Sequence, residues 1–325
     1  MPQDLPQIEI PPVQPAVPIT FEQLEAKVMA GEISEHELAP YFDELPEDGS
    51  ILEPRFQMNG NVLNQPLEES NFESALLMNT ANAWASHLRR NDYYRKLKKG
   101  GDLIRVVAEG DSWFQYPVKL WDVIDHLAMK PQVAVRCFSA AGDVLSNMVG
   151  NPQFLDALRT EKPHVFLISG CGNDLVDGRG LRDLLHTFSA GRKPEDYMNA
   201  AYAAYRQRIV RLYGDLFKMV RREDSQIRIL CHGYDYAIPN RDRGPWLGKP
   251  MEDIGITDRG LQFKIMKLIV NDINESIAKA VENAGPNVKY VDVRGSVPDH
   301  GWHNEFHPNS NFFGHVADRI WKAFK

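Results

Sequence analysis

Five short runs of branched and apolar residues follow Gly101, each ending in a polar turn, with helical patterns between them. They lie near residues 103 to 108, 132 to 138, 164 to 169, 226 to 231 and 288 to 293. None alternates strictly between apolar and polar positions, so both faces of each strand need cover, as in a parallel sheet between helices. The pattern predicts an α/β domain, a three-layer α/β/α sandwich with a five-stranded parallel sheet. Two long amphipathic stretches supply helices: "PEDYMNAAYAAYRQRIVRLYGDLFKMVRRE" before the fourth run and "LQFKIMKLIVNDINESIAKAVENAG" before the fifth. In the second, Leu261, Ile265, Leu268, Ile273, Ile277 and Val281 mark the stripe that faces the core.

Upstream of Gly101 the texture differs. Residues 1–19 hold too many prolines for a helix or a central strand and are expected to be extended or disordered. Residues 20–100 read as a helical region. Thr20 with Gln23 forms a capping box closed by Gly31, Ser34 with Glu37 a second, and Ser70 with Glu73 a third that opens a long helix with a basic end. Three parts are therefore expected: the proline-rich segment 1–19, the helical extension 20–100 and the α/β domain 101–325. Residues 1 to about 70 precede the first element of that domain and are expected to be dispensable for its fold. A lid, an attachment or a protein contact is then their role.

A chain of 325 residues with 43% hydrophobic content can bury a full core. Its net charge of −7 and lack of a long basic run argue against a nucleic-acid surface. No stretch reaches the length of a membrane span, and the opening residues lack the basic and apolar pattern of a signal peptide. A cytoplasmic protein acting on small molecules is expected. Cys137, Cys171 and Cys231 have no metal-ligand spacing and read as buried structural thiols.

In an open parallel sheet the ligand site lies beyond the carboxyl ends of the strands. There the turns read "EGDSW", "SAAGD", "SGCGND" and "HGYDY", and the last strand leads into "GWHNEFHP". Serine, glycine, asparagine and histidine, each at a strand end and in this order, resemble the SGNH (GDSL-type) serine hydrolase and esterase family. The resemblance spans roughly residues 101 to 325 and implies a flavodoxin-like sheet. It also implies Ser112 as nucleophile, His307 as base, and Gly142 and Asn173 as parts of the oxyanion hole. No metal or organic cofactor is implied, and the substrate would be a small-molecule, lipid or carbohydrate ester.

Chemistry supports these roles. A serine hydroxyl needs a neutral imidazole to take its proton before it can attack an ester. The oxyanion that forms next needs N–H donors, here the backbone of Ser112 and Gly142 and the amide of Asn173. Asp111 and Asp174 are expected to brace the loops, and His232 and Tyr234 to stand on the rim near substrate.

The departures from the family are as informative. Trp113 replaces the usual leucine, Cys171 replaces a glycine, and Asn304 stands where the catalytic triad has aspartate, three residues before the histidine. An amide oxygen can accept the Nδ1 proton but carries no charge, and an amide turned the other way favours the wrong tautomer. Three explanations stay open. The chain is an engineered, activity-weakened variant; or Glu305 or Asp299 serves as the acid; or it is a ligand-binding pseudo-hydrolase without turnover. A rival of another class, a zinc hydrolase using His300, His303 and His307, is opposed by Pro298, Gly301 and Pro308, which break the helix that would align them.

Overall fold

The computed structural model describes residues 8–12, 15–46, 54–62, 74–178 and 180–324. In chain order, the N-terminal part holds α1 (Phe21–Ala30), a 3₁₀ turn (His36–Tyr41), β1 (Phe42–Leu45), β2 (Arg55–Met58) and α2 (Ser74–Lys99). The main domain begins with β3 (Ile104–Glu109), α3 (Val123–Ala128), β4 (Val133–Cys137), α4 (Leu145–Gly150), α5 (Phe154–Glu161) and β5 (Val165–Ile168). It continues through α6 (Gly172–Val176), α7 (Leu181–Leu184), α8 (Ala200–Glu223), β6 (Arg228–His232) and α9 (Gly248–Asp253). It ends with α10 (Arg259–Glu282), β7 (Val288–Val291) and α11 (Ser310–Ala323).

Strands β3 to β7 form one parallel sheet in the order β4-β3-β5-β6-β7. Every residue of the central strand β5 is buried, as its unbroken apolar run requires. Helices α3 and α11 pack together, and α5, α8 and α10 form a second group, so the sheet lies within a three-layer α/β/α sandwich. Strand order reverses at β3, between β4 and β5, and an open sheet has its ligand crevice at such a reversal. The five strands fall where the sequence puts them, to within about two residues at each end. No helix among the described residues is long and apolar enough to cross a membrane.

The N-terminal part is less helical than expected. The Thr20–Gln23 box and the left-handed Gly31 cap are both formed. Ser34 donates its N–H and hydroxyl to Glu37 at 2.7 and 2.6 Å, but Pro40 limits the helical run at this point to a 3₁₀ turn. Strands β1 and β2 then pair antiparallel, Phe42 opposite Met58 and Leu45 opposite Arg55, in a region read as helical. The Ser70–Glu73 box lies outside the described residues. Within the proline-rich segment, Ile8 donates its N–H to Asn311 Oδ1 at 2.6 Å, which lays the extended chain against α11.

These elements share one core with the sheet: Leu24, Val28, Phe42, Phe56 and Trp84 belong to the same buried cluster as Val106, Phe114 and Ile124. Arg89, in the middle of α2, fastens the two parts. Its guanidinium donates to Glu35 at 2.6 and 3.1 Å, to Asp122 at 2.7 Å and to Asp125 at 3.2 Å, all buried. It also donates to the carbonyl of Phe114 at 2.6 Å, two residues beyond Ser112. The extension therefore holds the turn after β3 through α2.

Removing one partner of a buried ion cluster leaves the others uncompensated, which typically costs about 3–5 kcal/mol. Arg89→Met is accordingly expected to lower unfolding free energy by about that amount in urea titrations. A loss below ~1 kcal/mol would mean that the carboxylates are solvated without it.

Candidate active site

Ser112 lies in a tight turn at the end of β3. The preceding Gly110 has no room for a side chain, since a Cβ would stand 2.8 Å from the Ser169 carbonyl oxygen. Asp111 braces this turn: it accepts the Trp113 N–H at 3.0 Å, the Ser169 hydroxyl at 3.1 Å and the Tyr234 hydroxyl. Helix α3 fixes the far end, because Asp122 caps it and also accepts the Tyr116 N–H at 3.0 Å.

The other two turns are tied to this one. Ala140 donates to the Gly110 carbonyl at 3.1 Å, which draws the turn after β4 beside the serine. Gly142 in that turn has φ +83°, a left-handed conformation that glycine adopts without strain. Asn173, after β5, donates its side-chain amide to the Asp143 carbonyl at 2.8 Å, and Asp174 accepts the Leu145 N–H at 2.9 Å. The N–H groups of Ser112 and Gly142 donate to no other described residue. Asn173 keeps one amide hydrogen beyond the one it spends on Asp143.

His307 arrives from the other end of the chain. Residues 302–308 fold back on themselves through a Trp302–Pro308 bridge and a 2.8 Å bond from the His303 N–H to the His307 carbonyl. Asn309 caps α11 directly behind them. Trp113, the departure from the family pattern, anchors this segment by donating its indole N–H to the Phe306 carbonyl at 3.1 Å. As a result His307 Nε2 lies 2.6 Å from Ser112 Oγ.

Asn304 Oδ1 stands 2.9 Å from His307 Nδ1 and accepts the backbone N–H groups of Phe306 and His307 at 3.0 and 2.9 Å. Those two donors fix the amide: turned the other way, its NH2 would face them. His307 Nδ1 therefore carries the proton, and Nε2 is left as an acceptor toward Ser112. Burial keeps the imidazole neutral, lowering its pKa to about 3; His303 pushes it the same way and the Glu44 charge opposes them.

No hydrogen bond joins His307 to the other acids that the sequence offered. Glu305 accepts four backbone N–H groups, from Asn240, Trp246, Leu247 and Gly248, at 2.7 to 2.9 Å. It organises the 240–248 loop. Asp299 is exposed. The three histidines of the zinc alternative do not converge: His307 faces Ser112, His303 faces Glu44 at 3.0 Å and His300 packs on Phe312. Among the described residues no group of three side chains is spaced for a metal ion.

His232 and Tyr234 lie beneath the rim. His232 is fully buried and held neutral by that burial, its pKa lowered to about 4, while Tyr234 serves Asp111 and accepts the Gly172 N–H at 2.9 Å. Cys171 is buried in a left-handed conformation (φ 89°), and burial raises its thiol pKa, which suits a structural residue. Sequence reading missed Glu44, which accepts hydrogen bonds from Tyr116 and His303 near His307. No local pattern around residue 44 marks it.

No protein-family model matches the chain, and no curated protein matches it. Among solved structures it is similar to an extracellular lipase from Streptomyces rimosus, with 14% identity, 67% of this chain and 99% of that one covered, and a TM-score of 0.46. A family 3 carbohydrate esterase from Talaromyces cellulolyticus shares 12% identity over 68% of this chain and 96% of its own, with a TM-score of 0.42. The Clostridium thermocellum family 3 carbohydrate esterase shares 14% over 68% and 94%, with a TM-score of 0.40. At such identities the functional reading rests on the site's own geometry.

A charged acceptor strengthens a hydrogen bond by about 1–1.5 kcal/mol over a neutral one, which corresponds to roughly tenfold in rate. Asn304→Asp, with the tautomer already correct, should raise kcat by about tenfold, well short of the ~10⁴ that separates aspartate from asparagine in a serine protease triad where the amide also imposes the wrong tautomer. Steady-state kinetics checks this. A gain confined to KM would argue against an orienting role.

Proposed function

We propose that this chain is a carboxylic ester hydrolase acting through a serine acyl-enzyme. The observation that carries this reading is the hydrogen-bonded line from Ser112 Oγ through His307 to Asn304, at 2.6 and 2.9 Å. In acylation the Ser112 hydroxyl passes its proton to His307 Nε2 as Oγ bonds to the ester carbonyl carbon. Negative charge moves to the carbonyl oxygen, toward the N–H groups of Ser112 and Gly142 and the Asn173 amide. Collapse breaks the bond to the alcohol oxygen, which takes the proton from His307. Water then attacks the acyl-serine by the same proton route and releases the acid.

Asn304 gives this cycle orientation without charge, so turnover should be slower than a carboxylate would allow. The preserved tautomer favours catalysis over the ligand-binding alternative, since a site that only binds has no need to direct Nε2 at a serine. Ser112 and His307 are only 4% and 5% exposed, so the reacting atoms sit in a largely dehydrated setting. Lipid, acetylated carbohydrate and small acyl esters all suit this chemistry.

Ser112→Ala should abolish turnover of p-nitrophenyl esters and labelling by a fluorophosphonate while circular dichroism stays unchanged. Turnover at the native level in a folded Ser112→Ala protein would remove Ser112 from the mechanism.

Burial also sets the pH dependence. A base with a lowered pKa is active while neutral, so activity persists as pH falls and is lost only near that lowered value. The acid limb of kcat/KM should therefore lie below pH ~6.5, the value of a free histidine. A limb at or above ~6.5 would mean that His307 is hydrated when the substrate enters.

A further inference from the structure

The base of this site lacks a charged partner in the usual place, yet a carboxylate reaches it from a different part of the chain. Glu44, in β1, accepts the His303 Nε2–H with both oxygens, at 3.2 and 3.0 Å, and the Tyr116 hydroxyl. The Tyr116 ring in turn meets the His307 imidazole edge-on, with centroids 4.8 Å apart. His303 is joined to His307 through the backbone bond of the fold-back. Glu44 is thus connected to the imidazole from two sides.

The titratable groups facing His307 are Glu44 from β1, Tyr116 from the turn after β3 and His303 from its own segment. The other acids nearby are committed: Asp111 to Trp113, Ser169 and Tyr234, and Glu305 to four backbone N–H groups. Burial works to raise the Glu44 pKa, but the hydrogen bonds from His303 and Tyr116 outweigh it and keep the carboxyl below its usual value. Glu44 is therefore ionised at neutral pH.

We propose that Glu44, from the N-terminal hairpin, is a positioning residue that supplies the negative charge Asn304 lacks and stabilises the His307 imidazolium as acylation proceeds. The proposal rests on the serine hydrolase reading. It gives the extension a chemical task, since β1 brings a charge that the sheet domain does not itself place beside its base. Two opposite charges several ångströms apart, at the dielectric of a partly buried site, influence rate by about 5- to 50-fold.

The test uses the full chain with p-nitrophenyl acetate and a fluorophosphonate. Glu44→Gln keeps an acceptor for Tyr116 and His303 but removes the charge. It should lower kcat and the rate of Ser112 phosphonylation by about 5- to 50-fold, leave KM within about twofold, and move the acid limb to lower pH. Asn304→Asp added to Glu44→Gln should return the rate to about the native level, because a charge at either position serves the same imidazolium. Native kinetics and an unmoved acid limb in Glu44→Gln would overturn the proposal. So would a loss that Asn304→Asp leaves unrepaired, which would mean that Glu44 only holds the hairpin in place. A native chain that neither turns over esters nor takes the phosphonate at Ser112 would overturn the hydrolase reading itself, and this proposal with it.

Discussion

The guanidinium of Arg89 is buried among the carboxylates of Glu35, Asp122 and Asp125, and the way that charge is satisfied sets the arrangement of the site. A buried ion cluster is not by itself a source of net stability, because desolvation offsets most of the attraction. The placement of α2 puts the guanidinium N–H groups on buried acceptors. That placement also brings Arg89 to the Phe114 carbonyl and lets Asp122 hold both the Tyr116 N–H and the cap of α3. The turn carrying Ser112 is thereby fixed from outside the sheet domain. His36, stacked on Trp121 with ring centroids 3.6 Å apart and 3.4 Å from Asp125, extends the same contact to the chain leading into β1. The hairpin that presents Glu44 starts from there.

At the site, two polar side chains play different parts that their sequence positions would not separate. Asn304 and Glu305 are adjacent, and either could in principle face the histidine. The fold-back of residues 302–308 turns Asn304 toward His307 and Glu305 toward four N–H donors of the 240–248 loop. A carboxylate meets four donors well because it offers about four lone-pair sites. The Asn304 oxygen shares its two lone pairs among three donors, two of them backbone N–H groups that hold the amide in this orientation. The neutral residue thus orients the imidazole as an aspartate would but brings no charge to it.

Much of this was legible in the sequence because it depends on local pattern. Continuous apolar runs marked the five sheet strands, and the turns after them hold residues whose order resembles a known family, which is what singled out Ser112, Gly142, Asn173, Asn304 and His307. Ser112, His307 and Asn304 form a hydrogen-bonded line, and Gly142 and Asn173 lie on turns tied to the serine. The β1–β2 hairpin was not legible: "FDEL" and "RFQM" are four residues each, too short for period-two alternation to stand out, and they pair only when brought together. Nor did the roles of Asp299, His232 and Tyr234 show, since burial and exposure are properties of the packed chain.

The amino-acid sequence by itself determined the sheet, the helical layers and the set of turns that carry serine, glycine, asparagine and histidine. Apolar periodicity and capping act over a few residues and are written locally. Tertiary structure alone decided which face of the Asn304 amide meets His307, where Glu305 spends its charge, and that the Glu44 carboxylate is linked through Tyr116 and His303 to the surroundings of the His307 imidazole. These depend on how segments pack in space: Glu44 reaches His303 across 259 positions, Glu305 reaches the 240–248 loop across 57 to 65, and even the Asn304 amide, three residues from His307, is set by the fold-back. Such contacts exist only after the core has closed around them, because burial is what makes each donor demand its acceptor and each charge its partner.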